Sequence, residues 1–163
     1  MRKCRVLVSL LTIAVFALVS STHAQGDPEG DTLKQYMNTL KNELLSRRDA
    51  TLMAIVTLDE DGHKELASLK KSYDKELLKL AGERMKLVRD FMKVHKALTA
   101  DQADDLAGRY FEQEKQRQEL HHRYFKMLSE KISPVVAVQF LQVQGQFETM
   151  ADMERTKYVP LAE

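Results

Sequence analysis

Cysteine, proline, glycine and tryptophan are all scarce in this 163-residue chain, at one, three, six and none. The single cysteine, Cys4, lies in the basic N-terminal stretch Met1–Arg5. If that stretch is removed, no disulfide and no thiolate metal site can form, and stability must come from packing. An excess of one charge is also missing, with 25 basic residues against 24 acidic. Such a balance lacks the electrostatic footprint of a nucleic-acid binder.

Catalytic signatures are missing too. There is no Gly-rich phosphate loop, nucleophile elbow or HExxH. Carboxylate pairs such as Asp59/Asp61, Asp104/Asp105 and Glu112/Glu114 suit solvated helix faces in a chain with 30% charged residues. His63, His95, His121 and His122 invite a metal site. However, His121 and His122 are adjacent and project about 100° apart on a helix. Glu119/His122 and Gln118/His121, at i and i+3, match no recognised ligand pattern. The expectation is a non-enzyme with no metal and no cofactor.

The N-terminus reads as three zones. Met1–Arg5 is basic, Val6–Val19 is apolar apart from Ser9 and Thr12, and Ser20–Ala24 is small and polar. This is the pattern of a secretory signal, with Thr22 and Ala24 placed for a cut before Gln25. The apolar run is short for a bilayer span, which needs roughly 20 residues. An uncleaved anchor is the alternative, and the only membrane contact expected. Cleavage removes Arg2, Lys3 and Arg5, lowering the basic count from 25 to 22 against an unchanged 24 acidic residues. About 140 residues remain, enough for one domain with a core.

What is present is helical periodicity. Residues 25–31, with Gly26, Pro28 and Gly30, read as a flexible leader. Beyond it, apolar residues recur every three or four positions, and only Pro134 and Pro160 interrupt. A first helix is expected from Asp31 or Thr32, with Leu33, Met37, Leu40 and Leu44 on one stripe beside Tyr36. Its end is open, because Leu52, Met53, Ile55 and Val56 cluster after the polar Ser46–Asp49. A second helix starts at Thr57–Glu60, which fits a capping box, with Asp59 as the rival cap. It runs to about His95, roughly 35 residues and so about 50 Å. Thr99–Gln102 is a second capping box, with Leu98 as a staple against Ala103. The third helix carries Leu106, Tyr110, Phe111, Leu120, Tyr124, Phe125 and Leu128, and ends at 131–133. Ser133-Pro134 is an N-cap followed by proline at the first helical position. A fourth helix follows, with Val136, Phe140, Val143, Phe147 and Met150 on one stripe. Residues 158–163 form a tail. The fold expected is all-α: an elongated four-helix protein on a long antiparallel hairpin, with one domain over 32–157.

The second helix has two adjacent apolar stripes. Leu66, Leu69, Tyr73, Leu77, Leu80, Leu87 and Phe91 form the first, broken at Arg84. Leu78, Ala81, Met85, Val88 and Met92 form the second. Two stripes imply two neighbours. The polar stretch Glu112–Glu119 of the third helix falls opposite Leu77–Arg84, so those leucines need cover from the first helix, the fourth helix, a second protomer or a client. The candidate binding residues are Leu77, Leu78, Leu80, Arg84, Met85 and Met92. Flexible methionines suit surfaces that accept many partners, and equally fill gaps in a core. Gly82, Gly108 and Gly145, isolated in helical patterns, are expected to permit close packing or bending.

Leu98-Thr99-Ala100-Asp101-Gln102 matches the LTxxQ motif of the periplasmic Spy/CpxP-like proteins, at the start of a helix that follows a long helix. Thr57–Glu60 resembles a degenerate copy. Ser133–Val143 and the Tyr158–Leu161 ending are similar to a related group of exported helical proteins. The second LTxxQ is absent, since that position reads Ile132-Ser133-Pro134-Val135-Val136. The resemblance implies helix-capping roles for Leu98, Thr99 and Gln102. It also implies a function among ATP-independent periplasmic chaperones, modulators of envelope-stress signalling and metal-linked stress proteins. The leading expectation is a periplasmic protein that captures exposed apolar segments of exported proteins. A regulatory partner of a membrane-bound signalling protein and a structural homodimer are the alternatives.

Overall fold

The structure is a computed structural model and describes Gln35 and residues 38–163. The expected signal and leader, the start of the first helix at Asp31 or Thr32, and Leu33, Tyr36, Met37 and the Leu40 side chain lie outside the described residues. The protein is all-α, with no strand among the described residues. A π-helical turn (Leu40–Leu44) leads into α1 (Leu45–Ile55), and α2 (Glu60–Val94), α3 (Ala100–Lys131) and α4 (Pro134–Thr156) follow. The open end of the first helix is settled at Ile55, after which Val56 turns extended.

Local chemistry sets each boundary. Asp59 is the N-cap of α2, accepting the Gly62 N–H at 2.8 Å. The rival cap therefore prevails over Thr57, as suits an anionic acceptor at a helix N-terminus. At α3 the capping box is complete: Gln102 N–H donates to Thr99 Oγ1 (3.3 Å) and Thr99 N–H donates to Gln102 Oε1 (3.1 Å). Ser133 Oγ accepts the Val136 N–H at 3.2 Å, with Pro134 as the next residue.

α2 and α3 form the long antiparallel hairpin. Its register is marked by ion pairs of Asp90 with Arg109, Arg84 with Glu114, Glu76 with Arg123, and Glu65 with Lys131. α4 packs along α3, and α1 packs on α4. The main core fills the end of the hairpin away from its turn. Leu52 and Val56 meet Leu66, Leu69 and Tyr73, Leu120, Tyr124 and Leu128, and Val136, Ala137, Phe140, Val143 and Phe147. Tyr73 stands edge-on to Tyr124 (5.2 Å) and to Phe140 (5.0 Å). A smaller cluster of Met85 and Val88, with Met92 and Val159, lies toward the turn. There the tail folds back, and the Glu163 N–H donates to the His95 carbonyl at 3.0 Å.

Three expectations need correction. Met150 is exposed and Ala151 takes its place in the buried face of α4. The expected stripe followed a 3.5-residue period, whereas a straight helix turns every 3.6 and drifts by about 20° per heptad. Phe111, placed on the apolar face of α3, is 67% exposed. Gly82, Gly108 and Gly145 have nothing within 4 Å of where a Cβ would stand, so close packing does not require them.

Candidate functional site

Between the main core and the small cluster, the helices leave a partly open cleft of about 100 Å³. The α2 side chains Leu77, Leu78, Leu80, Ala81, Arg84 and Met85 form one wall. Leu44 and Leu45 close it at the start of α1, with Phe147 and Ala151 of α4 opposite. α3 contributes Gln113, Glu114 and Arg117. Intramolecular cover for the α2 leucines thus comes from the first and last helices, and it is incomplete. Leu77 and Leu80 are half-buried against the main core, and Leu78 is half-buried at the cleft.

The other candidates lie elsewhere. Met92 packs with Val159 on Met85 and Val88, outside this cleft. Leu98 lines a second groove of about 390 Å³ near the hairpin turn, with Leu87, Phe91, Leu106, Tyr110 and Val159. Thr99 and Gln102 are exposed and make the α3 cap.

Behind the apolar wall runs a polar network that the sequence did not reveal. Arg48, in the segment Ser46–Asp49 that reads as polar in the sequence, is 1% exposed. Its Nη1 lies 2.7 Å from Asp74 Oδ1 and donates to Gln144 Oε1 at 3.1 Å; its Nη2 donates to Asp49 Oδ1 at 2.7 Å. Lys70 Nζ donates to Asp49 (2.6 Å) and Asp74 (3.1 Å). Gln144 Nε2 then donates to Glu148 Oε1 (3.0 Å), which also meets His121 Nε2 at 2.8 Å. Burial acts to strip the Arg48 proton, but Asp74 and Asp49 outweigh it and hold its pKa above the ordinary arginine value. Burial likewise acts to raise Glu148, yet His121, Gln144 and Arg117 bring it below the ordinary carboxylate range.

At the mouth, two arginines share one carboxylate. Glu114 lies 3.4 Å from Arg84 Nη2 and 2.5 Å from Arg117 Nη2. The Arg84 guanidinium stacks 4.1 Å from the Tyr110 ring centroid. Arg117 Nη1 reaches Asp152 at 3.7 Å and Glu148 at 3.9 Å. Arg155 pairs with Asp152 at 2.8 Å. The i,i+3 spacing of Glu114 and Arg117 was a readable sign that this polar stretch is organised.

No protein-family model, curated protein or solved structure matches this sequence. Among the described residues, no group of three or more His, Cys, Asp or Glu side chains is arranged to hold a metal ion. No helix among them is long and apolar enough to cross a membrane.

Proposed function

We propose that the protein is an exported binding protein that captures exposed apolar segments of other exported proteins without ATP. One observation carries this reading: Leu77, Leu78, Leu80, Arg84 and Met85, separate positions on α2, line a single open, largely apolar cleft. A client side chain of leucine size leaving water there gains about 1.5–3 kcal/mol. That is the scale of weak, reversible capture, and release needs no energy source. The arginines and carboxylates at the mouth keep the surrounding surface wet. The likeness of Leu98–Gln102 to the LTxxQ motif, and an N-terminus that reads as a secretory signal, agree with a role in the periplasm.

Light scattering from a reduced, aggregating model protein tests the proposal. The purified protein is expected to suppress aggregation at equal molar ratio, and the Leu77→Ser/Leu80→Ser double variant to lose most of that effect. Because both leucines pack on the core, Leu78→Ser serves as the milder change, with helicity checked by circular dichroism. A folded Leu78→Ser that suppresses as fully as wild type contradicts the assigned surface. A folded wild type that suppresses nothing contradicts capture, and turns attention to a single regulatory partner.

A further inference from the structure

We propose that two copies of the chain pair antiparallel through the outer face of α4. This helix carries apolar residues on both its faces, as a helix covered on more than one side does. The inner face is covered. Val136, Phe140 and Val143 are buried in the main core, and Phe147 and Ala151 line the cleft. The outer face is open. From Val135 to Met153 every exposed residue of α4 is uncharged, in a chain with 30% charged residues. Val135 and Met153, at its two ends, are 67% and 65% exposed, and Val138 and Met150 are exposed between them.

The order of residues along this face points to a second copy. Counted from position 144, Val135 and Met153 stand nine residues out on either side, Val138 and Met150 six, and Gln142 and Gln146 two. A two-fold contact requires such a pattern, because residue i meets j and j meets i, so the surface must read alike in both directions. An unrelated partner imposes no such symmetry. At 3.6 residues per turn, Val135, Gln142, Gln146 and Met153 fall within about 20° of one line along the helix. An antiparallel partner centred near 144 therefore sets Val135 against Met153, and Gln142 against Gln146, whose amides both donate and accept. Gly145, beside the centre, has nothing within 4 Å of where a Cβ would stand, so no group of the same copy fills this space.

The face is about 27 Å long at 1.5 Å per residue. Ile55, whose carbonyl accepts from Gln139 Nε2 at 3.1 Å, is exposed and extends it onto α1. A contact of this size lies at the low end for specific interfaces, about 1,000 Å² in all, where association is reversible. The cleft lies on the other side of α4, so the pairing leaves it open and does not depend on the capture reading.

Sedimentation of the purified protein between about 1 and 200 μM tests the proposal, with a reversible monomer–dimer equilibrium expected in that range. Gly145→Glu and Gly145→Lys each set like charges beside the two-fold axis, at a position that is open within one copy. Each is expected to weaken the dimer at least about tenfold, with helicity by circular dichroism retained. Mixed together, the two variants are expected to dimerise again, since opposite charges then stand side by side. A wild type that stays monomeric throughout the range overturns the proposal. A dimer that neither variant weakens pairs through another face, and overturns it equally. A mixture as weak as its components overturns the antiparallel register about position 144.

Discussion

Glu148 holds three groups together at the back of the cleft. Its Oε1 meets His121 and Gln144, and Arg117 stands nearby. Through Gln144 it is joined to Arg48, whose partner is 96 positions away in sequence. Since the folded-state pKa of Glu148 lies below its ordinary value of 4.5, its contribution to stability is whole above that pH. It is lost as pH falls through the lowered value. Glu148→Gln should therefore cost about 1–3 kcal/mol at pH 7, by leaving Arg117 and His121 short of an acceptor. It should also flatten the loss of stability between about pH 5 and pH 3. Urea unfolding midpoints across that range measure both effects, and an unchanged acid slope would show that Glu148 is not the titrating group. None of this was legible at residue level beforehand. Arg48 and Gln144 look like solvated residues, and only contacts far apart in sequence make them buried ones.

The elements were more legible than the residues between them. Helix caps are local chemistry, so Thr99 with Gln102 and Ser133 with Pro134 are readable from short segments, and the structure has both. Asp59 and Thr57 competed within the same short segment, and the anionic acceptor won. Longer stripes accumulate error, which is why Ala151 rather than Met150 faces inward after two heptads. The helical glycines were read as packing devices, but open space surrounds them. Gly108→Ala in α3 should accordingly stabilise the protein by about 0.5–1 kcal/mol, through helix propensity and a more restricted unfolded state. A rise in thermal midpoint measures this. A fall would mean that the backbone at Gly108 needs a freedom its surroundings do not explain.

At the scale of the whole molecule, the cleft arises because the helices have different lengths and start at different points along the hairpin. α2 and α3 extend past the main core to their turn. Four helices meet around the main core, while beside Met85 and Val88 only the end of α4 and the tail reach the hairpin. Leu77–Arg84 fall between the two packed regions, and none of them is fully buried. The α2 wall of the cleft was visible as paired apolar stripes interrupted by Arg84. Its other walls were not, since Leu44, Glu114, Arg117, Phe147 and Ala151 come from three further segments that only the fold brings together. The central claim, that this cleft receives apolar client segments, is tested most directly by methyl NMR of the protein labelled at leucine and methionine and titrated with an unfolded client protein. The account predicts shifts concentrated at Leu44, Leu77, Leu78, Leu80 and Met85, with Leu52, Leu66 and Leu128 of the main core unmoved. Shifts confined to other surfaces, or none at all with client in excess, would contradict it.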